Sequence, residues 1–168
     1  GDLSSALAGF APDYVIVASR TAEHAADVAA LATAGFAGRV LVEKPLQVAA
    51  GAVPPGFRDL RVGYNLRFHP IVGRLRELTR DARVHAVQSH VGQHLADWRP
   101  GSDYRTGSSA IRAHGGGVQR DLSHELDLMA WLFGPWVRLA AIGGRFGGLE
   151  IETDDVFALL GETTGCPA

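Results

Sequence analysis

Two short apolar runs, "DYVIVAS" (13–19) and "RVLVEKP" (39–45), bracket an alanine-rich segment, "TAEHAADVAALATAG" (21–35). No other feature of the sequence restricts the fold as much. Both runs are rich in valine and isoleucine and short enough for buried strands, and Pro45 stops the second. The segment between them consists of good helix formers, with Thr21 at an N-cap position and Gly35 where a helix would stop. Strand, helix, strand over about thirty residues is a βαβ unit. Its strands lie parallel as neighbours, joined by a right-handed crossover.

Further along, "LQVAAGAVPPGFRD" (46–59) begins with helical composition, but Gly51 and Pro54-Pro55-Gly56 break it. "LRVGYNLRF" (60–68) predicts a third strand. "HPIVGRLRELTR" (69–80) predicts a helix opened by Pro70, with Ile71, Leu75 and Leu78 at helical spacing. "RVHAVQSHVGQ" (83–93) alternates loosely and predicts a longer strand. "HLADWRPGSDYRTGSSAIRAHGGG" (94–117) reads as a long polar loop, of a length that compact domains keep for function or leave disordered. One helix is expected from Val118 to Phe133, then strands in "VRLAAIGGRFG" (137–147) and "DDVFALLGETTG" (154–165). The texture changes near residues 67–70. The expected domains are residues 1–67, a parallel-sheet unit, and residues 68–168, an α+β unit. Both ends read as cut. A parallel sheet calls for more strands beside a first buried one, and "GETTGCPA" reads as a turn with no returning strand.

Composition narrows the function classes. The 168 residues are 46% hydrophobic and 20% charged, which fits a soluble chain that buries a core. The net charge is −2 and the pI about 6.4, with no run of Lys or Arg. Nucleic acid and anionic membrane are therefore not expected partners. Cys166 is the only cysteine, so no intrachain disulfide can form. "GDLSSALAGF" (1–10) lacks the features of a signal peptide, and no apolar stretch has the length of a membrane span. The expected location is the cytoplasm.

The candidate chemistry begins at "GGGVQRDLSHELDLMAWLFG" (115–134), where a glycine triplet runs into the expected helix. At about 100° per residue, Asp121, His124 and Asp127 fall on an arc of roughly 120°, close enough for a carboxylate to bond the imidazole. A carboxylate beside a histidine fixes its tautomer and raises its basicity, as a general acid/base requires. The same residues also fit a solvated stripe near a helix N-terminus. The glycines would permit positive φ or close approach by a ligand. In "VEKPL" (42–46), Pro45 holds Lys44, the single lysine of the chain, extended at a strand end. Ligands of parallel α/β sheets bind beyond such ends, so Lys44 could donate to a substrate hydroxyl; a solvated lysine is the plainer alternative. "GYNLRFHP" (63–70) sets Asn65, Arg67 and His69 at a strand-to-helix junction, as crevice or capping residues. Among seven histidines, His85, His90 and His94 cluster. Strand alternation would turn the first two to opposite faces, and there is no HExxH, so no metal site is expected. No GxGxxG occurs.

Taken in order, "VIVASRTAEHAADVAALATAGFAGRVLVEKPL", "VGYNLRFHP" and "GGGVQRDLSHELDLMAWLFG" resemble the Gfo/Idh/MocA-type oxidoreductases, over about residues 13–165. "VGQHLADWRPGSDYR" (91–105) followed by "DLSHELD" most resembles a branch tied to nucleotide-sugar and surface-polysaccharide metabolism. The resemblance implies an α/β fold. Residues 1–67 would be a partial Rossmann-type, NAD(P)-binding domain without its glycine-rich loop. Residues 68–168 would be a substrate-binding α+β domain on an open, mainly antiparallel sheet, incomplete at its C-terminus. It implies NAD or NADP as cofactor and hydride transfer at a hydroxyl-bearing carbon of a sugar or sugar derivative. By the same resemblance Lys44, His124 and Asp121 are catalytic. Ser19, Thr21, His24, Glu43, Lys44, Pro45, Asn65 and Arg67 contact the cofactor; Trp98, Arg99, Tyr104, Asp121 and Asp127 contact a small sugar-type substrate. The open sheet would pack against a second copy as a homo-oligomer. The competing readings are a non-catalytic relative that keeps a binding or assembly surface, and a metal-dependent hydrolase using the histidines.

Overall fold

A computed structural model describes residues 3–165; Cys166 and the end of the expected C-terminal turn lie outside them. The βαβ unit forms as its sequence requires. Strand β1 (Tyr14–Val17), helix α2 (His24–Thr33) and strand β2 (Arg39–Val42) follow a first helix, α1 (Leu3–Phe10), which the sequence pattern did not reveal. β1 pairs in parallel with β2, Val17 opposite Val42. β2 pairs in parallel with β3 (Asp59–Val62), giving the order β1-β2-β3. Helix α2 starts three residues after Thr21, with Glu23 as its N-cap. Gly35, at φ 74°, ends it as expected, because a left-handed turn favours a residue without Cβ.

The core lies between α2 and the sheet. Val28 and Leu31 from the helix meet Val17, Val40 and Val42, with Phe36, Leu46, Phe57 and Leu60 packed around them. Each fully buried aliphatic side chain contributes about 1.5–3 kcal/mol. Tyr14 and Ile16 are exposed, so their sheet face is bare among the described residues.

After β3 a 3₁₀ turn (Asn65–Phe68) leads into α3 (Pro70–Thr79), where the "LRVGYNLRF" run had suggested strand to its end. His69 caps α3 by accepting the Ile71 N–H at 3.2 Å. The apolar stripe of α3 stays on the surface: Ile71 is 73% exposed and Leu78 60%. The strand expected over residues 83–93 is absent. Alternation alone does not make a strand; a ladder partner must accept its backbone bonds, and the second sheet is built without this segment. Residues 94–117 are more ordered than a long polar loop. They form a short helix, α4 (Leu95–Trp98), and three 3₁₀ turns at Tyr104–Thr106, Ser108–Ala110 and Arg112–His114.

The single helix expected from Val118 to Phe133 is two, α5 (Val118–Asp121) and α6 (His124–Phe133), broken at Leu122 (φ −106°, ψ 36°). In an unbroken helix the Asp121 carbonyl would accept the Glu125 N–H. Here Lys44 Nζ donates to that carbonyl at 2.5 Å, so a side chain from the first sheet satisfies a helix-end acceptor. Strands β4 (Trp136–Gly144) and β5 (Val156–Thr163) then pair antiparallel, with a register shift between Trp136 and Arg138. The chain turns back on α6 through Thr164 N–H to Pro135 O and Gly165 N–H to Phe133 O. Among the described residues no helix is long and apolar enough to cross a membrane.

Candidate functional site

The ends of β1 and β2 point toward α5 and α6, and the candidate residues gather at that seam. The glycine triplet makes the seam possible in a way the sequence reading did not anticipate. All three glycines are buried against protein and do not face a ligand. A Cβ on Gly115 would meet Val48, the Ala22 nitrogen and Thr21 within 2.9 Å. One on Gly116 would stand 2.1 Å from the Ser108 carbonyl oxygen. Gly117, at φ 122°, lies against the Asp154 carboxylate. Asp154 in turn accepts Gln119 N–H at 3.0 Å and, through its own carbonyl, Val118 N–H, which starts α5. The triplet is thus a close backbone contact between the two parts of the chain.

At this seam Lys44, which a cis peptide bond joins to Pro45, reaches Asp121. The Asp121 carboxylate is half-buried and accepts the Ser109 hydroxyl. Burial pushes its pKa up, against the pull of Ser109, Lys44 and Arg99, and Asp154 adds to the rise. His124, at the start of α6, is partly buried, and its Nδ1 is fully covered with no hydrogen-bond partner among the described residues. Burial lowers its pKa and the Lys44 ammonium lowers it further, against Glu125, Asp127 and Glu43. Lys44, Asp121 and His124 therefore share one electrostatic neighbourhood, although 77 residues separate the first two in sequence.

The carboxylate-to-imidazole bond read from the helical wheel is replaced by other pairings. Asp127 is gripped by Arg67 in a bidentate ion pair: Nε donates to Oδ2 at 2.8 Å and Nη2 to Oδ1. The Asp127 side chain is only 8% exposed and closed to substrate, whereas the Arg67 side chain keeps 38% of its surface accessible. His24 is likewise no open contact. It is 1% exposed, with its ring nitrogens within 2.9 Å of Pro45 O and 3.1 Å of Ser19 O, and it ties the end of β2 to the end of β1. The Ser19 hydroxyl is taken by Asp27. Thr21, Glu43, Pro45 and Asn65 remain at the strand ends with accessible surface.

A cleft of about 410 Å³ opens beside Asp121, walled by Trp98, Leu95, Ser109, Ile151, Asp154 and Asp155. Arg99 lies over the Trp98 ring, 5.9 Å from its centroid. Tyr104 is outside the cleft wall; its hydroxyl accepts the Glu150 N–H at 3.3 Å. Ser109, Asp154 and Tyr64, whose ring meets His124 edge-on at 5.7 Å, are site residues that the sequence reading passed over. Tyr64 stood inside a quoted motif, whereas Ser109 and Asp154 carried no local signal. Among the described residues no group of three or more His, Cys, Asp or Glu is placed to hold a metal ion.

A family model described as the GFO/IDH/MocA C-terminal domain matches residues 73–167. An inositol 2-dehydrogenase of Acidothermus cellulolyticus is 34% identical over 145 residues, covering 79% of this chain and 38% of that protein. Among solved structures, GenD2 from gentamicin A biosynthesis, in complex with NAD, is 25% identical with a TM-score of 0.73, covering 99% of this chain and 49% of its own. Levoglucosan dehydrogenase, in complex with NADH and levoglucosan, is 21% identical with a TM-score of 0.74 and bears on the fold alone, again with 99% and 49% coverage. The chain spans about half the length of these solved structures and less of the curated relative.

Proposed function

The chain belongs to the GFO/IDH/MocA family, and from that premise we propose that it is the catalytic seam of an NAD(P)-dependent dehydrogenase acting at a hydroxyl-bearing carbon of a sugar or sugar derivative. The observation that carries the reading is the meeting of Lys44, Asp121 and His124 at one seam, with Asp121 also lining a cleft. Residues 1–67 form the cofactor side and residues 68–168 the substrate side. Thr21, Glu43, Lys44, Pro45 and Asn65 lie at the carboxyl ends of parallel strands, where dinucleotides dock, and they fit an NAD(P) group there. A bound NAD(P) would supply the acceptor for the hydride that leaves the carbinol carbon. His124, held neutral by its surroundings, takes the hydroxyl proton. Lys44 donates a hydrogen bond to the same oxygen, and Asp121 accepts from a neighbouring hydroxyl of the ring. Trp98 offers an apolar face to the sugar. Asp121, Asp154 and Asp155 line the cleft and no Lys or Arg does, which favours a sugar without negative charge.

The second reading is a non-catalytic relative that keeps a binding or assembly surface. Self-association through the β4–β5 sheet belongs to both readings; Ile142 and Leu160 there are 66% and 79% exposed. Oxidation of neutral, amino and acidic sugars with NAD⁺ or NADP⁺, followed by reduced-nicotinamide absorbance, separates the two. The dehydrogenase reading expects turnover on a neutral or amino sugar. His124→Gln and Lys44→Met should each lower kcat by about a hundredfold or more; at about pH 7 the thermal midpoint should stay nearly unchanged in His124→Gln and fall in Lys44→Met, which leaves the Asp121 carbonyl without its donor. Sugar binding without turnover under either cofactor would leave the second reading.

A further inference from the structure

His124 lacks what usually aims a general base. Among the described residues no acceptor meets its covered Nδ1, both Asp127 oxygens are occupied by Arg67, and Asp121 is engaged through its carboxylate by Ser109 and through its carbonyl by Lys44. An imidazole without such a bond can still be held by packing, because rotamer wells are lost when a neighbour fills the space. We infer that Tyr64 is the positioning residue for His124, with the Arg67–Asp127 pair holding Tyr64 and helix α6 in register.

The geometry is consistent along one helix face. His124, Asp127 and Trp131 stand at i, i+3 and i+7 of α6, on a single side. The segment Tyr64–Arg67 meets all three. The Tyr64 ring packs edge-to-face on His124 with centroids 5.7 Å apart and planes at 79°. Arg67 forks onto Asp127, and its Cζ lies 5.8 Å from the Tyr64 ring and 5.9 Å from the Trp131 ring. Arg76, from α3, sits over Trp131 at 4.2 Å. The guanidinium therefore touches the ring that positions His124 and the helix that carries it. The charged groups acting on the imidazole are Lys44, Glu43, Glu125 and Asp127; with both Asp127 oxygens bonded to Arg67, Tyr64 supplies the wall that keeps the ring from swinging.

This inference rests on His124 being the proton acceptor of the proposed reaction, yet its test reads the surroundings of the imidazole independently of turnover. The His124 ring resonances of the 168-residue chain are titrated by NMR in the wild type, Tyr64→Phe, Tyr64→Leu and Arg67→Lys, and kcat and KM are measured wherever turnover is found. Tyr64→Phe keeps the aromatic edge and should leave midpoint and rates as in the wild type. Tyr64→Leu should move the midpoint up toward the ordinary histidine value and lower kcat about ten- to a hundredfold with KM little changed. Arg67→Lys keeps the charge, loses the fork, and should shift His124 in the same direction by less; it also serves if Tyr64→Leu does not fold. A His124 midpoint unchanged in folded Tyr64→Leu, or in Arg67→Lys where Tyr64→Leu is unfolded, overturns the inference. Absence of turnover in the wild type would count against the dehydrogenase reading, while the titration still decides the role of Tyr64.

Discussion

Two side chains at the seam have been moved toward their neutral forms by burial, and their effects on pH dependence differ in sign. The folded chain holds His124 below its ordinary value, with burial first and Lys44 second as causes. Below about pH 6.5 the unfolded chain takes up a proton that the native imidazole resists. His124 therefore favours the folded state fully above that value and less as pH falls. Asp121 is raised by burial, so over the window just above the ordinary aspartate value the native carboxyl binds the proton more readily, and its contribution grows with acidification. Denaturation midpoints between about pH 7 and about pH 5.5 should fall more for the wild type than for His124→Gln. The acid limb of kcat/KM for alcohol oxidation should lie below the ordinary histidine value. A limb at or above that value would contradict a buried neutral base. The residue types at this seam were legible because "EKP" and "DLSHELD" are short, ordered motifs. Their pairings were not, because the partners of Asp127, His24 and Asp121 lie 60, 21 and 77 residues away.

At the scale of elements, the glycine triplet and the split helix are the features that tie the first sheet to the second part of the chain. Gly116 has backbone oxygens of Ser108 and Ser109 at 2.1 and 2.5 Å from where a Cβ would stand, and neither can rotate aside. Gly116→Ala should cost about 1–3 kcal/mol, read as a lower urea midpoint at unchanged slope. Gly73, inside α3 with open space around its Cβ position, is the contrast. Gly73→Ala should be neutral or stabilise by about 0.5–1 kcal/mol, because alanine is the better helix former. The βαβ unit was readable from local pattern, since its strand and helix periods and its stop at Gly35 all lie within a short window. The break between α5 and α6 was not, because the group that takes up the freed Asp121 carbonyl, Lys44, comes from across the fold. The segment 83–93 failed for a related reason: alternation states which side chains could share a face, and says nothing of whether a neighbour will complete the ladder.

For the whole molecule, the decisive quantity is how much of a dinucleotide these residues can hold by themselves. A pyrophosphate needs backbone N–H groups at a helix N-terminus or unengaged cations. At the strand ends the first turn of α2 is occupied by other bonds: His24 faces inward on Pro45 and Ser19, and the Ser19 hydroxyl is held by Asp27. Arg20 is drawn to Glu23 at 3.7 Å, and Lys44 donates to Asp121. Thr21, Glu43, Pro45 and Asn65 have accessible surface at the strand ends but bring no positive charge, so a dinucleotide docked there would leave most of its phosphate charge to water. NAD(P)H titrated into the 168-residue chain and followed by nicotinamide fluorescence should therefore show binding weaker than about 100 μM, less than about 5.5 kcal/mol. Lys44→Met should weaken it further, since it removes a positive charge near the expected nicotinamide position. Micromolar affinity that survives Lys44→Met would place the anchoring elsewhere on the surface and break the link between the strand ends and the cofactor.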